Sequence, residues 1–182
     1  MSDERSLEEA TARLVRARAP GRVDRELVEA LNALAWAIRQ KDPQGSLALA
    51  REALDHADAL AFREGRAWAL RTAGHAHYRL ADYGAALSQS QEAFAIFEAL
   101  GLDAGMASAA GGVGMAYTRQ ADYARGLEYH RLSLRIRRRM GDAAGEGASL
   151  NNLGVIHFEL ADYPAALEHY LLSLEIWQRL RH

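Results

Sequence analysis

The tripeptide Ala-Asp-Tyr occurs three times in the sequence, at 81–83, 121–123 and 161–163, with a constant spacing of 40 residues. A fixed period of about 20 to 50 residues is typical of an array of supersecondary units, because one such unit cannot bury its apolar face alone. The period runs through most of the chain without a gap and predicts one domain over residues 1–182. Its four units are 21–60, 61–100, 101–140 and 141–180.

Each unit is expected to consist of two α-helices. Apolar residues inside the units recur at i, i+3, i+4 and i+7, and no stretch alternates with the period of two that a half-buried strand requires. An aspartate stands where each second helix should begin, and its carboxylate can accept hydrogen bonds from the unpaired amides of the first turn. These residues are Asp42, Asp82, Asp122 and Asp162.

Two columns of small residues predict that the two helices of a unit cross at short distance. The column in the first helix contains Gly74, Gly114 and Gly154, and the column in the second helix contains Ala86, Gly126 and Ala166. We expect these columns to face each other. A large side chain in either column should then push the helices apart.

Both ends of the repeat array carry a specific expectation. Residues 6–19 should form an N-terminal helix in the place of a second helix, because Leu7 and Leu14 fall in phase with the leucine columns of the later second helices. At the other end, apolar residues occupy positions expected to pack on a following unit, which predicts self-association through this end or a longer parent protein. They are Leu172, Ile176 and Leu180.

The repeated columns resemble the tetratricopeptide repeat, with its Leu-Gly, aromatic and alanine positions, lengthened to 40 residues. The resemblance covers residues 21–180 and is weaker in the first unit, where Leu34 replaces the glycine. It implies an all-α, right-handed solenoid of helix-turn-helix units with about nine helices. The 40-residue form, with Asn151-Asn152-Leu153-Gly154, is similar to repeats of bacterial signalling proteins.

This resemblance implies that the first helices line a concave groove. Within each unit, positions 8, 11, 15, 18 and 19 form a helical stripe that points away from the partner helix. The stripe is rich in aromatic, Met, Asn and Arg residues, which combine apolar anchors with hydrogen-bonding groups. The candidate groove residues are Trp68, Arg71, His75, Tyr78, Arg79, Met115, Arg119, Asn151, Val155 and Phe158. In the first unit four residues of the stripe are apolar, which predicts that part of the groove is covered by the chain itself or by a second copy; they are Val28, Leu31, Ala35 and Ile38.

The expected function is therefore that of a protein-interaction module, as the sensory or scaffolding part of a bacterial signalling protein. The expected ligand is a protein or peptide, with an acidic or C-terminal peptide favoured by the arginines of the stripe. Two alternatives remain open at this point. The chain can be a receptor for a short signalling peptide, or a structural repeat protein that assembles with itself.

Composition and local motifs argue against other classes of function. With 22 basic and 24 acidic residues, the net charge of −2 favours neither nucleic acid nor an anionic membrane surface. The chain has no cysteine and no apolar run of about 20 residues, so we expect a cytoplasmic protein without a membrane span. The glycines at 111, 112 and 114 lie inside a predicted helix, where they do not form a phosphate loop. No catalytic residue, metal site or cofactor is expected.

Overall fold

The computed structural model describes residues 2–18 and 23–181, and these residues form nine α-helices and no strand. The helices are α1 (Ser2–Ala17), α2 (Arg25–Ile38), α3 (Pro43–Ala59), α4 (Arg63–Arg79), α5 (Tyr83–Leu100), α6 (Asp103–Arg119), α7 (Tyr123–Met140), α8 (Ala143–Glu159) and α9 (Tyr163–Arg179). Helix α1 begins four residues before the predicted start at residue 6 and ends at Ala17, while residue 19 lies outside the described residues. The all-α solenoid predicted from the period is confirmed.

The helices stack in a curved array. Every helix packs against the next one in the chain, and α1 packs against α2 in the place of a second helix. The first helices of the units also contact one another, α2 with α4, α4 with α6 and α6 with α8. The second helices α3, α5, α7 and α9 make no such contact among themselves. The first helices therefore lie on the inside of the curve, where they form the concave face.

Capping aspartates start the second helices, as the sequence predicts. The carboxylates of Asp42, Asp82, Asp122 and Asp162 accept a hydrogen bond from the amide three residues later, at 2.8, 3.1, 3.1 and 3.3 Å. The alanine before the last three of these aspartates has a positive φ of 57 to 62°. This left-handed residue turns the chain sharply between the two helices of a unit. Gly101 and Gly141 close α5 and α7 in the same conformation, where glycine carries no steric penalty.

The apolar stripe of the first unit belongs to the core. Val28, Leu31 and Ala35 are completely buried, and Leu31 packs in one cluster with Leu14 and Ala17 of α1. This stripe is therefore covered by other helices of the same chain, which is one of the two possibilities that the sequence left open.

The small columns permit close packing, and the glycines of the first helices also contact residues beyond the expected column. A Cβ atom added to Gly74, Gly114 or Gly154 would lie 2.6 to 2.8 Å from a side chain of the second helix. These side chains are Ser90, His130 and Tyr170, four residues beyond the predicted column of Ala86, Gly126 and Ala166. The two columns do approach each other, because a Cβ added to Gly74 would lie 3.3 Å from the carbonyl oxygen of Ala86, and one added to Gly126 would lie 3.5 Å from that of Gly114. Each glycine of the first column also accommodates a larger residue one turn further along the second helix.

The expected apolar end face also needs a correction. Ile176 is buried in a core cluster with Leu134, Leu150 and Leu153, so it is not available for self-association. Leu172 and Leu180 are exposed. Leu180 is nevertheless no special end feature, because its counterparts in inner units, Leu100 and Met140, are exposed as well. The column that contains Leu180 therefore does not lie between units.

The uncovered apolar residues of α9 belong to two other columns. In the preceding unit, Leu127 and Leu134 pack against Leu150 and Leu153 of α8. The corresponding residues of α9 are Leu167 and Leu174, which are 58% and 51% exposed. Together with Tyr163 and Leu171 they form a stripe along α9, here called the α9 stripe. No described helix covers it. Among the described helices, none has both the length and the apolarity of a membrane span.

Candidate peptide-binding groove

The concave face contains a cavity of about 300 Å³ toward its C-terminal half, here called the tyrosine cavity. Four of the predicted groove residues line it, namely Tyr78, Met115, Arg119 and Val155. They come from α4, α6 and α8, so the stripe calculated from helical spacing does converge across three units. Thr118, Asn152 and Glu159 add hydrogen-bonding groups to the same wall.

Arg119 is engaged within the tyrosine cavity. Its Nε donates a hydrogen bond of 3.0 Å to the hydroxyl of Tyr78, and its guanidinium lies 5.7 Å from the centre of the Tyr78 ring. The hydrogen bond to Tyr78 is the main cause that raises the pKa of Arg119. The two residues are 41 positions apart in the chain. They tie α6 to α4 at the rim of the groove.

A second cavity of about 180 Å³, here called the arginine pocket, lies deeper in the concave face. Arg71, His75 and Met115 of the predicted set line it, together with Ser108, Ser149 and Asn152. The wall also contains Trp36 and Arg137, and it contains no Asp or Glu. The lining surface of the pocket is mainly apolar, and hydroxyl and amide groups lie on it beside the two arginines.

Arg71 lies between two tryptophans. Its guanidinium carbon is 3.5 Å from the centre of the Trp36 ring and 4.7 Å from that of Trp68. Burial is the main cause that lowers the pKa of Arg71 to about 9, and the charges of Arg39 and Arg137 add to the effect. Arg71 is therefore still a cation at neutral pH. Trp68 itself packs edge-on against Phe97, with ring centres 4.6 Å apart.

Two histidines near the groove are uncharged at neutral pH. Burial, followed by the charges of Arg39, Arg71 and Arg79, lowers the pKa of His75 to about 4. Burial alone lowers the pKa of His130 to about 4. His77, two residues from His75, points elsewhere and pairs with Asp82 at 3.3 Å. This arrangement agrees with the i, i+2 spacing, which places the two side chains on different sides of the helix.

Some predicted groove residues do not line either cavity. Asn151 is exposed, and its neighbour Asn152 lines both cavities instead. Phe158 is 55% exposed and packs on Tyr163 at the turn after α8, with ring centres 5.6 Å apart. Arg79 is exposed at the end of α4. These three residues sit at the margin of the groove, because a stripe averaged over all units ignores the offset of each helix from its neighbours.

Trp36 is the groove residue that the sequence did not reveal. It lines the arginine pocket, and with Trp68 and Arg71 it also lines a further cavity of about 320 Å³ near α1. Its position in the first unit is one residue beyond the predicted stripe, whose residue Ala35 is buried. The signal available in the sequence was a rare aromatic residue in a helix that departs from the repeat pattern.

The arginine cluster at 135–139 belongs to a different surface. Arg137 pairs with Asp142 at 2.9 Å, Arg138 with Glu146 at 2.7 Å and Arg139 with Asp103 at 2.6 Å. Except for Arg137, which reaches the arginine pocket, these residues are exposed. The cluster thus consists mainly of ion pairs between units.

Comparison with known proteins identifies the class. Residues 105–179, which cover α6 to α9 almost completely, match the family model of the tetratricopeptide repeat. The fold is an α-solenoid, and the concave face of its first helices bears the cavities described above. Residues 105–179 thus carry the tetratricopeptide repeat, and the fold of the remaining helices is that of the same kind of solenoid. In its broad class it is a protein–protein interaction module.

Solved structures with the same fold share little sequence with this chain. BtubC (BKLC) from P. vanneervenii is 20% identical, with a TM-score of 0.75 over 99% of this chain and 75% of that protein. Aspartyl phosphate phosphatase F from Bacillus subtilis is 16% identical, with a TM-score of 0.77 over 98% and 49%. A Rap protein complexed with competence and sporulation factor is 18% identical, with a TM-score of 0.79 over 94% and 48%. The chain thus spans about half the length of the last two proteins, and no curated protein matches its sequence significantly.

Proposed function

We propose that the chain binds a segment of another protein, or a peptide, in the concave groove formed by α2, α4, α6 and α8. It would serve as the sensory or scaffolding part of a bacterial signalling protein in the cytoplasm. The observation that carries this function is the convergence of Tyr78, Met115 and Val155 from three units on one cavity. A Rap protein of the same fold was crystallised with competence and sporulation factor, which supports a protein or peptide as the ligand class.

The chemistry of the groove fits a polypeptide ligand. Met115 and Val155 offer apolar surface for side-chain anchors, and Met adapts its shape to different partners. Asn152 and Thr118 carry the amide and hydroxyl groups that pair with an extended backbone. Arginines along the face favour acidic residues in the ligand.

The test is a selection of binders from a displayed library of random peptides, with the purified chain as the target. Selected peptides should bind in solution, and Tyr78→Ala or Met115→Ala should weaken them by at least about 1 kcal/mol, the usual threshold of an interface hot spot. Fluorescence anisotropy with labelled peptides gives these affinities. Arg138→Ala, on the exposed ion-pair surface, is the matched control and should leave them unchanged.

The proposed location of the binding site would be wrong if Arg138→Ala abolished binding and the two groove variants did not. A library that yields no binder at all would contradict the function itself. The salt dependence adds a further check, because an acidic peptide held by arginines should bind less tightly as the ionic strength rises.

Self-association through α9 is a second candidate, favoured by the α9 stripe. We propose that a second copy of the chain covers this stripe, because the equivalent leucines of α7 are covered by the leucines of α8. Sedimentation velocity should show dimers at high micromolar concentration, and Leu171→Glu or Leu174→Glu should abolish them. Leu100→Glu is the matched control, since Leu100 is exposed at the end of an inner second helix. A wild-type chain that stays monomeric would contradict this candidate.

A further inference from the structure

The cation of Arg71 lacks the partners that other arginines of the chain have. Arg13 pairs with Glu29 at 2.6 Å, and Arg66 pairs with both Asp58 and Glu92. No ion pair to Arg71 occurs among the described residues, and no Asp or Glu lines the arginine pocket. Glu29 and Glu64 line the other cavity that Arg71 borders, where Glu29 pairs with Arg13 and Glu64 accepts a hydrogen bond from Trp68. Arg137, the other arginine of this wall, is balanced by Asp142.

The two tryptophans do not replace such a partner. They stabilise the positive charge through their ring faces, but the five N–H donors of a guanidinium lie in its own plane. The Nε of Arg71 is shielded from solvent and has no hydrogen-bond partner among the described residues. Among the described residues, the one hydrogen bond of an Nη atom is a long one of 3.5 Å to the hydroxyl of Thr72. The ring contacts therefore hold the guanidinium in place and leave most of its hydrogen-bonding edge without a partner.

We infer that the arginine pocket is an oxyanion subsite of the groove, in which Arg71 receives the side-chain carboxylate of an Asp or Glu residue from a bound peptide. This inference rests on the proposed function and names the chemistry of one contact. A carboxylate matches the fork of N–H donors on a guanidinium and can accept two hydrogen bonds from it. A volume of about 180 Å³ has room for a carboxylate on a short stem.

The other groups on the wall suit the same occupant. The hydroxyl of Ser108 and the amide of Asn152 can donate hydrogen bonds to an oxygen that Arg71 does not reach, whereas the hydroxyl of Ser149 is hydrogen-bonded to Ser133. The lowered pKa of Arg71 agrees with a cation that lacks an anion. A bound carboxylate would stabilise the charged form and raise this pKa again.

The experiment is a double-mutant cycle between the pocket and an acidic peptide selected for binding to the groove. Each Asp or Glu of the peptide is replaced by Asn or Gln, and each peptide is measured against the wild type, Arg71→Met and Arg71→Lys. One replacement should weaken binding to the wild type by roughly tenfold, as expected for a hydrogen bond to a charged group, and should have little effect on Arg71→Met. Arg71→Lys should recover only part of the loss, because an ammonium lacks the planar fork.

Arg63→Met is the matched control, since Arg63 is an exposed arginine at the start of the same helix. The same acidic residue should lose its roughly tenfold contribution in Arg71→Met and keep it in Arg63→Met. If every acidic residue contributes equally with and without Arg71, the subsite is overturned, while the proposed function of the groove stands. Arg71→Lys keeps the test valid should Arg71→Met fail to fold.

A second arm separates peptide carboxylates from free anions and does not need a peptide. Inorganic phosphate and free glutamate are titrated separately while tryptophan fluorescence is followed, because two of the three tryptophans of the chain contact Arg71. A change with phosphate that disappears in Arg71→Met would show that a free oxyanion occupies the pocket and would overturn the peptide carboxylate as its occupant. If no peptide binds but glutamate gives an Arg71-dependent change, the carboxylate subsite stands and the proposed function fails. If neither arm depends on Arg71, the subsite is overturned.

Discussion

Arg71 and Arg119 line the same concave face, Arg71 in its N-terminal half beside α2 and Arg119 in its C-terminal half beside α8. Arg119 is exposed and donates to the Tyr78 hydroxyl, which raises its pKa. Arg71 is stacked between two indoles without a carboxylate, and burial lowers its pKa to about 9. The difference shows that position in a repeat does not decide the role of an arginine. What decides it is whether its neighbours leave a hydrogen-bonding edge unsatisfied.

The two halves of the groove also differ in how the hairpin helices cross beneath them. In the N-terminal half Gly74 faces the small Ser90, whereas in the C-terminal half Gly114 and Gly154 face the rings of His130 and Tyr170. The two glycines of the C-terminal half therefore pack against larger side chains than Gly74 does.

Gly114→Leu should cause the largest loss of stability. An added Cβ would lie 2.8 to 2.9 Å from three atoms of the His130 ring, which is buried and cannot move aside. We expect the free energy of unfolding to fall by about 3 kcal/mol, as for overpacking of a dense core. Gly154→Leu should cost less, about 1 to 2 kcal/mol, because Tyr170 is only half-buried and can swing outward. Urea denaturation measures both, and equal losses would contradict this contrast.

Acid should destabilise the chain through one histidine in each half. His75 and His130 have a pKa of about 4 in the folded state, below the ordinary value of 6.5. Between these values the unfolded chain binds more protons, so their contribution to stability is complete above pH 6.5 and is lost as the pH falls toward 4. We expect the difference in the free energy of unfolding between the wild type and His130→Gln to change by about 2 kcal/mol across this pH range. Denaturation at pH 7 and pH 4.5 tests this, and a shift of opposite sign would contradict the burial of a neutral imidazole.

Arg71→Met and Arg119→Met should affect stability in opposite directions. Replacing a buried cation that has no carboxylate partner by an apolar side chain is neutral or stabilising, and we expect a gain of up to about 1 kcal/mol for Arg71→Met. Arg119→Met removes a hydrogen bond at the rim and should cost about 0.5 kcal/mol. Thermal melts at pH 7 compare the two variants. A severe loss for Arg71→Met would mean that the guanidinium holds the tryptophans together and is not kept for a ligand.

Gly111→Ala should give the smallest effect, a gain of about 0.5 kcal/mol. Alanine favours the helical state over glycine by about 1 kcal/mol at most. The added Cβ would meet only the Ser133 hydroxyl at 3.7 Å, which is an ordinary contact. Gly112→Ala is the matched control, because its Cβ would approach the Ser90 hydroxyl to 2.8 Å and offset the gain. Equal melting temperatures for the two variants would contradict the tighter packing at Gly112 than at Gly111.

The structural features that the sequence predicts correctly depend on residues near each other in the chain. The period predicted the paired helices, and the aspartates at 42, 82, 122 and 162 begin second helices because an N-cap needs only the amides of the following turn. The stripe on the first helices also located much of the groove, including Arg71 and Met115. Spacing along one helix fixes which side chains share a face.

The tertiary structure alone decided how those faces meet. That Asn152 and not Asn151 lines the cavities, that Ile176 is buried, and that Trp36 stacks on Arg71 all depend on the offset between successive helices. Nothing within one 40-residue unit encodes this offset, because it results from how side chains of different units pack together. The charge environment of Arg71 follows in part from the same packing, since Trp36 and Arg137 belong to α2 and α7, whereas Trp68 lies one turn away on the same helix as Arg71. The spacing of residues in the sequence therefore predicts the helix pairs and the concave side of the first helices, whereas packing between units decides which side chains meet in the groove.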